Sequence, residues 1–163
     1  MTSRWYVLRC KPHKERVLWK QLESKGYEVF YPRFYSRSDK TGRLQIKPYF
    51  PGYLFLKVDL SETSLSTFQW MPYTEGLVCF GTKPAYVPDA LVQAIRRHVD
   101  ELNSTKGKDY LDQRQPDGVR EKTSGMHGGY RIIFNPGLPS EERVKELLHM
   151  LQGMCPTPAI GDS

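Results

Sequence analysis

Residue types that could carry chemistry are few and scattered in this chain. The four histidines stand far apart, at His13, His98, His127 and His149, and no Ser or Cys nucleophile lies beside a base. There is no Gly-rich phosphate loop and no motif of clustered carboxylates. The three cysteines are odd in number and widely spaced, which fits neither a disulfide framework nor paired zinc ligands. We therefore predict no enzymatic activity, metal site or cofactor, and a reducing, cytoplasmic location.

Cations are concentrated at the N-terminal end. Residues 1–48 hold 12 Lys and Arg against 4 Asp and Glu, a net charge of +8 in a chain whose total is +6. A basic N-terminal part joined to a nearly neutral remainder is typical of a protein that binds phosphate backbones. A surface that is only solvated can carry the same charge. No window approaches the roughly 20 apolar residues of a membrane span, and the N-terminus lacks the apolar run of a secretory signal. We therefore expect no membrane partner.

The elements that hold these cations are organised around residues 47–58, KPYFPGYLFLKV. The second half of this segment is almost entirely apolar and rich in strand-forming residues, which predicts a central strand buried on both faces. Pro51-Gly52 predicts a turn or bulge before that strand, where another backbone or a partner can approach closely. The residues alone leave open whether the aromatic side chains are core or a docking surface.

Helical and strand-like segments alternate around this strand. Residues 13–25 predict a helix with Val17, Leu18 and Leu22 on its apolar stripe. The other predicted elements are strands at 5–10 and 27–34, a basic hairpin tip or loop at 36–44, a helix at 61–70 capped by Ser61, a turn at 72–76, a strand at 77–80 and a helix at 89–102 capped by Asp89. This order predicts an α+β sandwich whose antiparallel sheet has about four strands.

The C-terminal end contains a polar stretch and then a helical pattern. Residues 104–116 carry charges of both signs and few apolar side chains, which predicts a flexible linker. Beyond it, Val144, Leu147, Leu148 and Leu151 recur at the spacing of one helical stripe. Ser140 and the two glutamates after it are typical of a helix start.

Five separated blocks in the first part of the chain resemble the N-terminal domain of the NusG/RfaH family of transcription elongation factors, over residues 3–103. The blocks are WYVLRCKPHKE, the basic loop, FPGYLFLKVD, TEGLVCFG and PAYVPDALV, in the family's order. GVREKTSGMHGGYRIIF, residues 118–134, resembles a degenerate KOW motif, with His127 where an apolar aromatic is usual. The resemblance implies a NusG-like N-terminal domain at 1–103, a linker at 104–116 and a small KOW-like domain at 117–163.

The resemblance and the local pattern disagree about residues 142–151. A KOW β-barrel requires strand there, whereas the apolar stripe predicts helix. Specialised RfaH-like members hold this domain as a helical hairpin against the N-terminal domain and convert it to a barrel on release. A barrel, a helical hairpin and a switch between them therefore all remain open.

The function that the resemblance implies is that of a monomeric elongation factor. Such a factor binds the clamp helices of RNA polymerase and the non-template or upstream DNA, and it suppresses pausing and termination. Its C-terminal domain has a ribosomal protein or a termination factor as partner. The alternative is a KOW-type RNA-binding module that acts independently of polymerase.

The resemblance also assigns site residues. The DNA-binding set is Lys11, His13, Lys14, Arg16, Lys20, Gln21, Thr74, Glu75 and Gly76, with Glu75 standing where DNA-reading members carry a cation. The polymerase-binding set is Phe50, Pro51, Tyr53, Phe55 and Phe80, which would contact the clamp helices. It also includes Ser64, Leu65 and Ser66, which would face the pincer of RNA polymerase on the other side of the DNA channel. The interdomain set is Lys47, Glu142, Val144, Leu147, Leu148 and Leu151, with Lys47 expected to pair with Glu141 or Glu142.

Overall fold

The computed structural model describes residues 3–109, 133–135 and 137–154. The strands are β1 (Arg4–Cys10), β2 (Glu28–Phe30), β3 (Arg33–Arg37), β4 (Leu44–Pro48), β5 (Tyr53–Val58), β6 (Thr74–Leu77), β7 (Cys79–Phe80), β8 (Lys83–Pro84) and β9 (Tyr86–Val87). The helices are α1 (Glu15–Ser24), α2 (Leu65–Trp70), α3 (Asp89–Asp109) and α4 (Ser140–Met154). The predicted mixture of helices and antiparallel sheet is confirmed.

The predicted central strand lies in the middle of the main sheet. The five-stranded sheet has the order β2-β5-β1-β6, and β9 pairs with β1 beside this path. All of its pairings are antiparallel, with β5 and β1 in register from Arg4 opposite Val58 to Arg9 opposite Tyr53. Two short two-stranded sheets accompany it, the β3–β4 hairpin and the β7–β8 pair.

Alternation along the two central strands gives the sheet two apolar faces. Leu8 of β1 and Leu54 and Leu56 of β5 share one core cluster with Leu18 and Leu22 of α1. The other face of the same strands packs against α3 and α4. It contributes Trp5, Val7 and Phe55, and the helices contribute Leu91, Ile95, Val99, Leu147 and Leu151. The helices α1 and α2 therefore cover one face of the sheet, and α3 and α4 cover the other.

The C-terminal segment that the structure describes is helical. Residues 140–154 form α4, as the apolar stripe predicts, and not the strand that a barrel requires. The KOW-like residues 118–132 lie outside the described residues. In the part of the chain that the structure describes, no helix is both long and apolar enough to cross a membrane.

Several local predictions were wrong in detail. Val17 is 45% exposed, because α1 turns Glu15, Leu18 and Leu22 toward the core instead. The cap of α2 is Ser64, whose hydroxyl accepts from the Ser66 amide, whereas Ser61 hydrogen-bonds to Asp59.

Four boundaries also differ from the prediction. The predicted turn at 72–76 overlaps β6, which begins at Thr74, and the predicted strand at 77–80 is divided between β6 and β7. The predicted strand at 27–34 divides into β2 and β3 at Pro32, which cannot donate to a ladder. Asp89 is the first residue of α3, and its carboxylate accepts from the Trp5 indole. The helix α3 continues to Asp109, inside the predicted linker, and the Ser104 hydroxyl donates to the Asp100 carbonyl on the way.

Candidate functional site

Four aromatic residues of the predicted polymerase-binding set lie on the α3–α4 face of the sheet. Phe50 and Phe55 are fully buried, and Tyr53 and Phe80 are partly buried and pack against the same cluster. The Phe50 and Phe55 rings meet edge to face, with their centroids 5.8 Å apart. We refer to these four residues as the aromatic face.

The helix α4 covers the aromatic face. Leu147 and Leu151, one helical turn apart, are fully buried in the same cluster as Phe50 and Phe55. The remaining apolar residues of the predicted interdomain set, Val144 and Leu148, are partly buried. The structure thus brings the predicted polymerase-binding and interdomain residues together in one core cluster, to which α3 also contributes.

Arg143, which the sequence reasoning missed, fixes α4 to this surface. Its guanidinium lies 3.9 Å from the centroid of the Tyr49 ring and 5.7 Å from that of Phe34. Its Nη1 donates to the Tyr49 carbonyl oxygen at 2.9 Å, and its Nη2 donates to the Leu138 carbonyl oxygen at 3.2 Å. Burial lowers the pKa of Arg143 from its ordinary value. Its Nε has no hydrogen-bond partner among the described residues.

The segment before α4 makes a second attachment. The Tyr49 hydroxyl donates to the carbonyl oxygen of Ile133, which is fully buried. His98 of α3 lies between the Tyr49 ring, at 5.6 Å, and the Phe134 ring, at 4.6 Å. Burial, together with the nearby charge of Arg143, lowers the pKa of His98 to about 4. This imidazole is therefore neutral at physiological pH.

The predicted ion pair between the domains is not formed. Lys47 is exposed and makes no ion pair with any described residue. Glu142 instead lies 3.0 Å from Lys145 of its own helix. A partner three residues away in one helix is always within reach, whereas Lys47 would have to approach from another element.

The predicted DNA-binding residues divide between two segments that the structure places side by side. Lys11, His13 and Lys14 are exposed in the loop before α1. The Lys11 amide donates to the Tyr73 carbonyl oxygen at 3.0 Å, which joins this loop to the turn before β6. The Lys14 ammonium lies 5.7 Å from the centroid of the Tyr73 ring. Tyr73 was not among the predicted residues.

The predicted DNA-binding residues 74–76 lie in strand β6 and differ in what they can offer to DNA. Thr74 is buried, and its hydroxyl accepts from the Gly76 amide at 2.9 Å and donates to the Arg9 carbonyl oxygen. Gly76 is also buried, whereas Glu75 is exposed. The Thr74 hydroxyl therefore joins the start of β6 to β1, and the exposed side chains here belong to Tyr73, just before β6, and to Glu75 within it.

The remaining predicted residues lie on α1 and α2. Arg16 and Lys20 are exposed on α1 and Gln21 is partly exposed. Lys20 lies 4.0 Å from the Trp19 ring and 3.8 Å from Glu23, so its charge is partly committed within its own helix. Ser64, Leu65 and Ser66 are exposed at the start of α2.

Glu15 and Gly52 connect the two candidate surfaces. Glu15 is buried at the start of α1 and accepts a hydrogen bond from the Gly52 amide at 3.0 Å. The Gly52 carbonyl accepts from the Cys10 amide at 2.8 Å, and Gly52 has a φ of 84°. The predicted close approach at Pro51-Gly52 is therefore an approach of β1 and α1 to Gly52, and Pro51 beside it is partly buried.

A family model described as "Transcription termination factor nusG" matches residues 3–96, more than half of the chain. The chain belongs to the NusG family. This membership is in keeping with the antiparallel sheet and its helices. Among solved structures, "Domain interaction in Thermotoga maritima NusG" is similar over 71% of this chain and 62% of that one, with 20% sequence identity and a TM-score of 0.45. The chain thus spans less than two thirds of that NusG protein's length.

Proposed function

We propose that this NusG-family chain is a transcription elongation factor of the specialised, RfaH-like kind, and that α4 is the cover of its polymerase-binding surface. The observation that carries this proposal is that Phe50 and Phe55 are fully buried in one core cluster with Leu147 and Leu151 of α4. In the proposal, the clamp helices of RNA polymerase bind the aromatic face after α4 leaves it.

The chemistry of the covered surface supports this role. An apolar groove that accepts an amphipathic helix is one of the recurring modes of protein recognition, with anchors one turn apart. Leu147 and Leu151 of α4 are such a pair, so the groove already holds a ligand of the same chemical kind as a clamp helix. Binding of α4 and binding of a clamp helix are then mutually exclusive.

The proposed effect on transcription follows from which state of polymerase is bound. The aromatic face binds one pincer of RNA polymerase and Ser64–Ser66 face the other pincer, so the factor bridges the DNA channel between them. A ligand that binds the closed clamp more tightly than the open one shifts polymerase away from paused states. Lys11, His13 and Lys14 lie toward the non-template DNA in this arrangement, and a released C-terminal domain recruits a ribosomal protein or a termination factor.

Pull-down of purified RNA polymerase core enzyme by the full chain tests this proposal. The double variant Leu147→Glu, Leu151→Glu places charge in the groove and should expose the aromatic face. We expect its apparent affinity for polymerase to rise about tenfold or more, because closure reduces the fraction of competent molecules. The matched control His149→Glu, Gln152→Glu adds the same charge at exposed positions of α4 and should bind like the wild type.

Two further variants complete the design. Phe80→Glu, combined with the opening substitutions, should abolish the gain, because Phe80 lies at the margin of the aromatic face and is only partly buried. Equal polymerase binding by the wild type and the opened variant would refute the proposal that α4 covers the polymerase-binding surface. RNA binding that maps to residues 117–163 and persists without polymerase would favour the KOW-type RNA-binding module instead.

A further inference from the structure

The β3–β4 hairpin carries an exposed apolar stripe. Leu44 and Ile46 of β4 are 51% and 55% exposed, and Tyr35, which lies opposite Ile46 in the pairing of the two strands, is 39% exposed. Side chains two residues apart along a strand point to the same face, so Leu44 and Ile46 lie side by side. Folded proteins ordinarily avoid apolar side chains on an exposed edge strand. The hairpin is therefore a candidate docking surface.

The hydrogen bonds of the hairpin show which main-chain groups of β4 point outward. The Ser38 amide donates to the Arg43 carbonyl oxygen at 2.9 Å, next to the tip. Hydrogen-bonded and non-hydrogen-bonded pairs alternate along an antiparallel ladder, so the pairs that contain Leu44 and Ile46 are of the second kind. Their amides and carbonyls therefore point away from β3, and no hydrogen bond from the described residues reaches them.

The two edges of the hairpin differ. On β3 the outward groups are occupied, because the Asn103 side chain of α3 accepts from the Tyr35 amide at 3.1 Å and donates to the Arg33 carbonyl oxygen at 3.2 Å. One side-chain amide thus takes the place that a third strand would have. On β4 the corresponding groups have no such cover from the described residues. This uncovered edge is short, since Pro48 at its end has no amide to offer.

The hairpin is also strongly basic. Residues 33–48 hold five Lys and Arg against one Asp, a net charge of +4. The face of β4 opposite the apolar stripe carries Gln45 and Lys47, both exposed, and Arg43 lies on the same side at the tip. Side chains of an added strand would lie opposite these on one face and opposite the apolar stripe on the other. A strand that fits both faces therefore alternates acidic and apolar residues.

We propose that the outer edge of β4 binds an extended, acidic segment of a partner protein, which adds to the hairpin as a third strand. The amides and carbonyls of Leu44 and Ile46 pair with the main chain of that segment. Its apolar side chains pack on the apolar stripe, and its carboxylates lie beside Arg43 and Lys47. Nucleic acid has no main chain that could continue the ladder. A second copy of this chain would bring cations together, whereas an acidic segment pairs with them.

This edge is separate from the aromatic face that α4 covers. Leu44 and Ile46 belong to neither of the two core clusters, and both are exposed while α4 is in place. The segment should therefore bind the full chain without polymerase and without release of α4. Binding at the hairpin holds or fails independently of the proposed polymerase contact.

Titration of the isotope-labelled full chain with a synthetic peptide tests the inference directly. The probe is a capped peptide of about eight alternating valine and glutamate residues, within the ordinary length of a strand. At saturation it should slow hydrogen exchange of the Leu44 and Ile46 amides by about tenfold or more, because these amides become hydrogen-bonded. The Gln45 amide already faces β3 and should change little, which makes it the internal control.

Methylation of the peptide nitrogens separates main-chain pairing from general attraction. In an extended peptide the amides of alternate residues point to the same edge, so the valine amides face one edge and the glutamate amides face the other. One peptide is methylated at every valine nitrogen and a second at every glutamate nitrogen. One of them should bind and the other should not. Equal binding of the two would overturn the inference, because charge or apolar contact alone would then hold the peptide.

Variants of the hairpin make the test specific to β4. Ile46→Pro removes an outward amide without removing a hydrogen bond between β3 and β4, and should abolish peptide binding. Ile46→Val keeps that amide and should bind like the wild type. Arg43→Glu with Lys47→Glu should bind the peptide about five- to thirtyfold more weakly. The matched control is Lys25→Glu with Lys83→Glu, which makes the same change of charge at exposed positions outside the hairpin and should bind like the wild type.

Four results would overturn the inference. The first is absence of amide protection in the wild type at millimolar peptide, and the second is unchanged affinity of Ile46→Pro. The third is self-association of the free chain that Ile46→Pro abolishes, which would assign the edge to a second copy. The fourth is protection of the Leu44 and Ile46 amides by oligo(dT) in place of the peptide, which would assign the hairpin to nucleic acid.

Discussion

The guanidinium of Arg143 lies 3.9 Å from the Tyr49 ring and donates a hydrogen bond to the carbonyl oxygen of that same residue. One side chain of α4 thus holds both the ring and the main chain at the start of the segment that carries the aromatic face. Its described partners are carbonyl oxygens and aromatic rings, not carboxylates. The attachment therefore depends on geometry more than on net charge, and salt should weaken it little.

Replacing Arg143 should loosen the cover. Arg143→Ala removes the hydrogen bond to the Tyr49 carbonyl oxygen and a desolvated cation–π contact, which together contribute about 2–4 kcal/mol to the docking of α4. Hydrogen exchange of the α4 amides in the free chain should then rise by at least about tenfold. Arg143→Lys should give an intermediate rate, because an ammonium cannot reproduce the planar fork. Arg96→Ala is the control, since Arg96 lies 4.5 Å from the Phe30 ring and donates no described hydrogen bond to α4.

Acid should destabilise the folded chain, with α4 in place, through protonation of His98. Burial and the charge of Arg143 lower the pKa of His98 from 6.5 to about 4. Between these pH values the unfolded chain binds a proton at His98 that the native chain excludes. The free energy of unfolding therefore has its full value above pH 6.5 and falls as the pH is lowered toward 4. Allowing for solvent screening, the loss from pH 7 to pH 5 is roughly 1–2 kcal/mol. Urea unfolding at the two pH values measures it, and His98→Gln should lose less stability over that interval than the wild type.

Glu15 should matter as an acceptor and not as a charge. Glu15→Ala leaves the partly buried Gly52 amide without its partner at 3.0 Å and should cost about 1–3 kcal/mol in the free energy of unfolding. Glu15→Gln keeps an acceptor oxygen at the same place and should cost clearly less. Urea midpoints of the two variants decide between these roles, and equal losses would contradict the hydrogen-bond account.

The sequence predicted the elements whose signals are local. The apolar run of β5 placed the central strand correctly, and the spacing of Val144, Leu147 and Leu151 predicted α4 although the family pattern required strand. In each segment one local pattern, an apolar run in β5 and a helical spacing in α4, extends over the whole element, so no distant contact is needed to interpret it.

What the sequence did not predict depends on contacts between distant residues. Arg143 interacts with Tyr49, far away along the chain, and a lone arginine on a helix carries no signal of that contact. The buried hydroxyl of Thr74 follows from the pairing of β6 with β1, which the turn residues alone do not reveal. Val17 appeared to belong to the stripe because its spacing fits, but the orientation of α1 is fixed by Leu18, Leu22 and the buried Glu15.

The loop before α1, which carries Lys11 and Lys14, should supply the salt dependence of DNA binding. Lys11→Ala with Lys14→Ala should weaken oligo(dT) binding and reduce the slope of log affinity against log salt by about 0.7 for each lost phosphate contact. Lys20→Ala should change the slope less, because Lys20 lies against Trp19 and Glu23 within α1. A slope unchanged in the double variant would mean that the loop is only solvated.

The distance between α3 and α4 in the free and polymerase-bound chain tests the central claim most directly. Spin labels at Gln93→Cys and His149→Cys occupy exposed positions in a Cys79→Ser, Cys155→Ser background. Cys10 can stay, because burial raises the pKa of its thiol to about 12 and leaves it unreactive. We predict one narrow, short distance in the free chain and a longer, broader distribution when polymerase core enzyme is bound. An unchanged short distance in the polymerase complex would contradict the proposal that α4 covers the docking surface and must leave it.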